Sequence, residues 1–460
     1  MIWRLHMKSK LLTLTLVALF PAAPATIIAA ETNPYFGLSS ITAQPTGFFR
    51  LAQTGGRHHL VTPDGRPYLA LGINHLDMLQ GQPIKGGLSV RGDAAFRDYW
   101  VQTLRPQFAD WNLTTLGYGA PASLRTQAPW FATITLAAIE KHRSDPKRNT
   151  PDGYYFPDVF DPVWVNDVAE RIVNAAAPLR NDPFLIGYFW TDTPTWDLVK
   201  TRALRGTDWV SALRTLPPTA PGRQAYADFL GKRYANRLGD LNHIYGLDLT
   251  APEQLREADL NSIAVGRHVV QEDDEAFLAQ IARRFYEVAG RAQREADPNH
   301  LVFGDRYLAG DAPESVLEAA KPYIDAVAVQ PGDRYTSLYP ASTQFPEDDM
   351  DLLHTVAGKP VLICDHAISF PTADHPRTIF EQMPDEATAA RATADFLQAA
   401  FAKPWMIGYL RCQYIDRPAG YGRGLRQGVV RGDGTPRESL VRVYREGFAA
   451  ALKNLQALTP

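Results

Sequence analysis

The sequence has little cysteine: only Cys364 and Cys412 occur in 460 residues, and both lie within apolar, strand-like runs. A disulfide-stabilised scaffold needs a higher cysteine content, so this class is excluded. Two cysteines can still form one bridge, but the burial habit of free cysteine favours two small buried thiols. Zinc needs clustered Cys and His, which the isolated His58-His59 pair beside a turn does not supply.

An excess of positive charge is also missing. The 47 Lys and Arg are scattered among 50 Asp and Glu, and the net charge is -3. A nucleic-acid partner needs a basic stripe that displaces counterions from phosphates, so this partner is excluded. A glycine-rich phosphate loop is absent as well, because Gly117-Tyr118-Gly119 lacks the third glycine and the acidic partner of a dinucleotide fingerprint.

Long hydrophobic runs are missing after the first thirty residues. Arg4, Lys8 and Lys10 precede the apolar run 11–20, and a stretch of small residues ends at residue 30. This pattern predicts a signal peptide over residues 1–30, with a start at Met7 and cleavage at Ala25 as alternatives. No later run approaches the roughly 18 apolar residues of a spanning helix. We therefore expect a periplasmic or secreted protein without a membrane segment.

The pattern of apolar residues predicts a β-meander followed by alternating strands and helices. Two glycine turns separate the runs 48–53, 57–62 and 68–73, as in a meander. Eight strands are then expected, at Tyr68–Asn74, Thr114–Tyr118, Phe131–Leu136, Phe184–Trp190, Leu301–Gly304, Ala326–Gln330, Val361–Asp365 and Met406–Arg411. Helices are expected at Ala94–Phe108, Val163–Ala177, Ser315–Ala320, Asp349–Val356, Glu386–Ala402 and Arg437–Leu455.

This order predicts the α/β class and a (β/α)8 TIM barrel, with a meander over residues 31–66 and the barrel over residues 67–460. A helical insertion over about residues 197–300 separates the fourth and fifth strands, with helices near 222–245 and 275–295. We expect it to form a lobe over the barrel mouth.

Polar and aromatic residues follow most of the eight strands, whose carboxyl ends meet at the barrel mouth. Carboxylates and amides suit sugar hydroxyls, and aromatic rings suit the apolar face of a sugar. The candidate substrate-binding residues are Asn74, His75, Asp77, Tyr118, Trp190, Trp196, Asp305, Arg306, Gln330, His366, Gln413 and Asp416. Several have a structural alternative: Asp77 and Asp305 can cap helices, Trp190 and Trp196 can fill the core under the insertion, and Arg306 can neutralise a neighbouring Asp.

Several short segments between Phe48 and Phe448 resemble the exo-acting β-agarases and their relatives among the clan A glycoside hydrolases. The segments are Leu60-Val61-Thr62-Pro63-Asp64-Gly65-Arg66-Pro67 leading into Leu71-Gly72-Ile73-Asn74, Ile186-Gly187-Tyr188-Phe189, Lys359-Pro360-Val361-Leu362-Ile363, Ile407-Gly408-Tyr409, and Gln413-Tyr414-Ile415-Asp416-Arg417-Pro418. The resemblance implies a (β/α)8 barrel that hydrolyses glycosidic bonds. It also implies an Asn-Glu pair at the end of the fourth strand, where Glu is the acid/base, and a nucleophilic Glu at the end of the seventh.

The chain departs from that pattern at both catalytic positions. The Asn-Glu pair is Asp192-Thr193 here, and the strand-seven position is Asp365. Threonine is not a general acid at ordinary pH. Three interpretations follow: the acid has moved by one residue to Asp192, another carboxylate such as Asp305 or Asp77 has replaced it, or the site is inactive.

Side-chain geometry bears on these alternatives. A shift by one residue along a strand turns a side chain to the opposite face, so Asp192 needs an irregular backbone, which Pro194 makes plausible. Replacing two Glu by two Asp retracts each carboxyl by ~1.3 Å, about one carbon–carbon step. The distance between the two carboxyl groups then increases from the roughly 5–5.5 Å of retaining enzymes towards the wider range of inverting enzymes.

The sequence therefore predicts an exported glycoside hydrolase with Asp192 as the acid and Asp365 as base or nucleophile. The two shortened carboxylates favour inversion at the anomeric carbon, whereas the resemblance to the clan A enzymes implies retention. The alternative is an inactive carbohydrate-binding protein on the same barrel. No cofactor is implied, because acid/base cleavage of a glycoside needs none. The only partner expected is the carbohydrate substrate, and the sequence leaves the oligomeric state open.

Overall fold

The structure is a computed structural model that describes residues 33–84, 88–136, 156–260, 268–332, 343–376, 383–417 and 427–458. The predicted signal peptide over residues 1–30 and Pro418 of the last resembling segment lie outside the described residues.

The expected meander and barrel are both present. The strands are β1 Arg50–Thr54, β2 Arg57–Val61, β3 Pro67–Tyr68, β4 Ala70–Ile73, β5 Pro83–Ile84, β6 Leu88–Ser89, β7 Thr115–Leu116, β8 Trp130–Thr133, β9 Leu185–Asp192, β10 Leu301–Leu308, β11 Val327–Gln330, β12 Val361–His366 and β13 Met406–Arg411. Strands β1, β2 and β3 form an antiparallel sheet, and β5 pairs with β6. The barrel is closed in the order β10-β11-β12-β13-β4-β7-β8-β9, with every neighbouring pair parallel. The predicted (β/α)8 fold is confirmed.

Each barrel strand buries both faces, as a parallel sheet under a shell of helices requires. The inner faces fill the barrel with Ile186, Phe189, Phe303, Leu362 and Ile407 among others. Glycine recurs where strands approach closely: a Cβ on Gly187 would lie 2.2 Å from the carbonyl oxygen of Leu301. This steric limit is the physical reason for the Ile-Gly-Tyr segment in β9.

The helices form the outer shell and the insertion. They are α1 Gly92–Tyr99, α2 Arg105–Trp111, α3 Pro162–Ala176, α4 Leu198–Arg205, α5 Trp209–Arg214, α6 Pro221–Arg233, α7 Leu238–Tyr245, α8 His268–Ala296, α9 Glu314–Ala320, α10 Glu347–Ala357, α11 Glu386–Ala402 and α12 Glu438–Leu458. The expected helix 94–108 is divided by a π-helical turn over Trp100–Leu104, just before Pro106, which has no N–H for the ladder. Within the described ranges, no helix is both long and apolar enough to span a membrane.

Strand β10 is longer than expected, so Asp305 and Arg306 lie inside the strand rather than after it. Its pairing with β9 shifts register on both sides of Gly304, which has a φ of +69°. Such a bulge turns neighbouring side chains to new directions. Asp305 consequently contacts Tyr286 of α8, whereas Arg306 contacts Asp192 at the mouth.

The insertion is attached to the long helix α8 by two adjacent buried acids. Asp274 accepts hydrogen bonds from Arg214 Nη1 at 3.0 Å and the Tyr226 hydroxyl at 3.1 Å. Asp273 accepts from the hydroxyls of Tyr234 at 2.7 Å and Tyr245 at 2.6 Å. These bonds join α5, α6, α7 and the residue following α6 to one turn of α8. Helix α8 also packs against α3 and α9, so it belongs to the barrel shell as well.

We predict that Asp274→Ala lowers the free energy of unfolding by about 3–5 kcal/mol, because it leaves the buried Arg214 guanidinium without its anion. The matched control is Asp240→Ala, which breaks a pair in which both side chains are 58% exposed and should change stability by under about 1 kcal/mol. Urea denaturation followed by circular dichroism measures both. Equal effects of the two substitutions would contradict the structural role given to Asp274.

Candidate active site

Asp192 ends β9 and faces the barrel mouth. Its Oδ1 accepts a hydrogen bond from Gln330 Nε2 at 2.6 Å and lies 3.3 Å from Arg306 Nη2. The side chain is 54% exposed. The ends of three neighbouring strands, β9, β10 and β11, thus meet at one oxygen of this carboxylate.

The backbone at Thr193 explains why Asp192 reaches the mouth. Thr193 has a φ of +43°, a left-handed conformation that is rare for a β-branched residue, and its N–H donates to the Arg306 carbonyl at 3.1 Å. Outliers of this kind concentrate at functional sites. The irregularity that a shift of the acid to Asp192 requires is therefore present directly after it, although Asp192 as the acid stays a prediction.

Asp365 lies near the end of β12 and also faces the mouth. Its Oδ2 accepts a short hydrogen bond from the Tyr118 hydroxyl, and the residue is only 9% exposed. Burial raises the pKa of Asp365, against the opposing effects of Arg306 and of the Tyr118 hydrogen bond. The two predicted catalytic carboxylates thus have different environments, one buried and one open.

Tyr118 and Arg306 connect the two carboxylates. The Arg306 guanidinium carbon lies 4.1 Å from the centre of the Tyr118 ring. The Tyr118 hydroxyl, bonded to Asp365, lies 3.1 Å from His75 Nε2. Burial, and next the charge of Asp365, raise the pKa of Tyr118. Six predicted residues therefore form one cluster, which we call the mouth cluster: His75, Tyr118, Asp192, Arg306, Gln330 and Asp365. Asp77, exposed and 3.7 Å from His75, lies at its edge.

The aromatic residues expected to stack on substrate lie elsewhere, which corrects their predicted role. Trp190 and Trp196 are completely buried. Trp196 stacks on Trp209 of the insertion with ring centres 4.3 Å apart, and Trp190 stacks on Tyr286. In this structure neither ring offers a face to a sugar, so the alternative in which both fill the core under the insertion is favoured.

His366 is a second correction. It points into the helical shell, where its ring stacks on Phe396 of α11 at 3.9 Å and its Nδ1 lies 2.7 Å from the Tyr409 hydroxyl. The pairing of β12 with β13 shifts between Ile363 and His366. Successive residues of a strand face opposite sides of the barrel wall, and this shift turns Asp365 rather than His366 towards the mouth.

Three further predicted ligands are buried and bonded within the protein. Asn74 Nδ2 donates to the Cys364 carbonyl at 2.9 Å, and Gln413 Nε2 donates to the Ile415 carbonyl at 2.8 Å. Asp416 pairs with Arg437 Nη2 at 2.6 Å. These contacts hold the strand ends in place, and they favour a supporting role for the three residues over the predicted contact with substrate.

Asp305 lies behind the mouth cluster, completely buried. Its two oxygens accept from the Thr191 N–H at 3.1 Å and from the Tyr286 hydroxyl at 2.7 Å. Burial raises the pKa of Asp305 to about 7. Tyr286 is also 2.7 Å from the Tyr307 hydroxyl. Asp305 thus braces the residue before Asp192, and its burial favours a supporting role over the predicted contact with substrate.

One further residue beside the mouth cluster, Cys412, is not among the predicted site residues. Both cysteines are free and buried, as favoured, and Cys412 Sγ lies 3.9 Å from the Tyr118 hydroxyl. No local pattern indicates this contact. In the part of the chain that the structure describes, no group of three or more His, Cys, Asp or Glu is arranged to hold a metal.

A cavity of ≈ 480 Å³ lies at the same end of the barrel, between the segments that follow β9 and β10 and the helices α8 and α10. Its wall includes the carboxylates of Asp197, Glu275, Asp311, Glu314 and Asp349 and the apolar side chains of Val199 and Leu352. Carboxylate acceptors beside apolar surface can hold a polyhydroxylated chain beyond the mouth cluster.

Comparison with known proteins supports the resemblance to the agarases. The chain is 25% identical over 378 residues to β-agarase A of Vibrio sp. (strain JT0107), covering 76% of this chain and 36% of the relative. It is 21% identical over 354 residues to β-agarase B of the same strain, covering 75% and 36%. The chain thus spans little more than a third of these relatives. No protein-family model matches the sequence.

Two solved structures share the fold. An exo-β-agarase structure superimposes with a TM-score of 0.73 at 18% identity, covering 93% of this chain and 68% of the other. A second agarase structure gives a TM-score of 0.73 at 16% identity, covering 92% and 67%. The predicted resemblance to the clan A barrels, and to the β-agarases in particular, is confirmed.

The stability of the folded protein should depend on pH through Asp305. Its folded pKa of about 7 lies above the ordinary value of 3.8, so the folded protein binds this proton more tightly than the unfolded chain does. Its contribution to stability is therefore complete below about pH 4 and is lost as the pH rises through about 7. We expect Asp305→Asn, which stays neutral, to gain stability relative to the wild type as the pH rises from 5 to 8.

Urea denaturation of both proteins at each pH measures the difference between their free energies of unfolding. The titration of other groups affects both proteins equally and cancels in this difference. A difference that stays constant across this range would show that Asp305 does not titrate between the two states.

Proposed function

We propose that this chain is a glycoside hydrolase that cleaves O-glycosidic bonds of a galactose-containing poly- or oligosaccharide, as agarases do. The mouth cluster is the observation that carries the proposal. Asp192 ends β9 and Asp365 lies in β12, with β10 and β11 between them. Asp192 pairs with Arg306, whose guanidinium lies over the Tyr118 ring, and the Tyr118 hydroxyl donates to Asp365. A pair of carboxylates flanking the scissile bond is what glycoside hydrolysis requires.

Asp192 is proposed as the general acid. Among the described residues, Gln330 and Arg306 both contact Oδ1, so we assign the transfer of the proton to the leaving oxygen to Oδ2. Asp365 is proposed as the general base. Its burial and raised pKa make the carboxylate a stronger proton acceptor than an exposed Asp. Each group thus has an environment that suits one half of an acid/base reaction.

Export forms part of the proposal. A polysaccharide is too large to cross a membrane unaided, and residues 1–30 have the charge and apolar pattern of a signal peptide. Sequencing the amino terminus of protein recovered from the culture medium or periplasm tests export. A first residue near 26 or 31 agrees with it, whereas an intact terminus in the cytoplasm contradicts it.

Thr193 favours a second candidate, a carbohydrate-binding protein without catalytic activity. The residue stands where the agarase-like pattern has its acid/base Glu, and its side chain is buried. A barrel that keeps its sugar-binding groups and loses one acid would bind a glycan without cleaving it.

A digestion screen separates these candidates. We expect the full chain to release reducing ends from agarose and its oligosaccharides, but not from cellulose, because the similarity is to β-agarases. Product sizes from chromatography show whether cleavage is from an end or internal. Retention on an agarose column without any product would instead support the binding protein.

We predict that Asp192→Asn and Asp365→Asn each lower kcat by at least about a hundredfold while the fold is kept, because each removes one proton-transfer group. Substrate affinity, measured by calorimetry, should change little. Asp240→Asn, an exposed acid on the insertion, is the matched control and should keep wild-type turnover. Near-wild-type rates in both active-site variants would transfer the chemistry to other residues.

A further inference from the structure

The predicted catalytic carboxylate on the β12 side, Asp365, is bonded to a phenol, that of Tyr118. Asp365 is buried, whereas Tyr118 is the more exposed of the two. The oxygen Oδ2 of Asp365 is already engaged by the Tyr118 hydroxyl. The Asp365 carboxylate is thus both buried and bonded to a phenol. The shorter side chain of Asp relative to Glu leaves room for this arrangement.

We propose that Tyr118 is the nucleophile of the reaction and that Asp365 is the base that takes its proton. The inference rests on the proposed glycosidase function and names the group that attacks the anomeric carbon. Tyrosine is among the residues that form covalent enzyme intermediates when a neighbouring base activates them. Most glycosidases use a carboxylate here, and tyrosine is a known exception.

Three contacts prepare Tyr118 for this role. Asp365 accepts a hydrogen bond from the Tyr118 hydroxyl and is thus placed to take its proton. His75 Nε2, 3.1 Å away, can donate to the phenolate oxygen as it forms. The Arg306 cation, 4.1 Å from the ring centre, attracts the negative charge that spreads into the ring. A nucleophile, its base and two groups that stabilise its charge are therefore held together by four different strands or their ends.

Tyr118 stays protonated at rest, since burial and the charge of Asp365 raise its pKa. Proton transfer must then accompany attack. The Tyr118 oxygen forms a bond to the anomeric carbon as its proton moves to Asp365 Oδ2. The bond between that carbon and the leaving oxygen breaks, and the leaving oxygen takes the proton of Asp192.

In the second step water attacks the anomeric carbon and gives its proton to Asp192. The bond to the Tyr118 oxygen breaks, and this oxygen recovers its proton from Asp365, so the enzyme returns to its starting state. Two displacements at one carbon give net retention of configuration. This inference replaces the inversion that side-chain length alone predicts, because the attacking atom is not a water held by Asp365.

The experiment uses the full chain and 2-deoxy-2-fluoro-β-D-galactosyl fluoride, a probe that traps glycosyl-enzyme intermediates. Peptide mass spectrometry should locate the fluorosugar on Tyr118. An adduct on Asp365 would overturn the inference and would make Tyr118 a positioning residue. Adduct location separates these roles, whereas loss of rate alone does not.

A second measurement serves if the fluorosugar adduct is hydrolysed too fast to be detected. Tyr118→Phe should lower kcat on agarose oligosaccharides at least a thousandfold with KM within threefold, and proton NMR of the wild-type reaction should show retention. Tyr99→Phe, which removes a buried hydroxyl bonded to Tyr414 at 3.2 Å, is the matched control and should keep its rate.

Inversion in the first product, or a Tyr118→Phe rate within tenfold of the wild type, would overturn the inference and leave the glycosidase function standing. A wild type that neither hydrolyses any glycan nor forms an adduct would overturn both.

Discussion

The arrangement of the mouth depends on one buried cation. Arg306 is 4% exposed, and burying a guanidinium is unfavourable unless anions compensate. Burial alone would lower the pKa of Arg306, but the carboxylates of Asp192 and Asp365 raise it above its ordinary value. The cation therefore requires these groups around it, and it holds them together in turn. Two carboxylates that would otherwise repel each other across the mouth are stabilised by the charge they share.

Backbone irregularity in two adjacent strands makes this arrangement possible. The bulge at Gly304 turns Arg306 towards the mouth and Asp305 towards α8. The left-handed Thr193 ends β9 so that Asp192 lies beside Arg306. With regular alternation after the inward-facing Phe303, Asp305 would face the barrel interior and Arg306 the helical shell. Strained or irregular backbone persists where surrounding contacts enforce it, and here those contacts are the closed barrel and the helix α8.

Helix α8 connects the insertion to the back of the site. Its amino-terminal half holds the insertion through Asp273 and Asp274, and its Tyr286 bonds to Asp305 behind Asp192. The expectation of a lobe above the mouth describes only part of this segment, because α8 also packs as a shell helix against α3 and α9. The insertion thereby contributes to the rigidity of the strand ends as well as to the wall of the neighbouring cavity.

The sequence by itself determined the barrel and the set of residues near its mouth. Apolar runs and their spacing are local properties of the sequence. Once parallel strands close into a barrel, their carboxyl ends necessarily lie together at one end of it. Only the tertiary structure decided which of those residues face the opening. Tyr118 and Asp365 are 247 positions apart, and no local pattern pairs them. Trp190 and His366 face the shell because register shifts and bulges, which depend on neighbouring strands, set the direction of each side chain. A shift of one residue turns a side chain from the barrel mouth to the core, and packing between distant segments determines which of the two it faces.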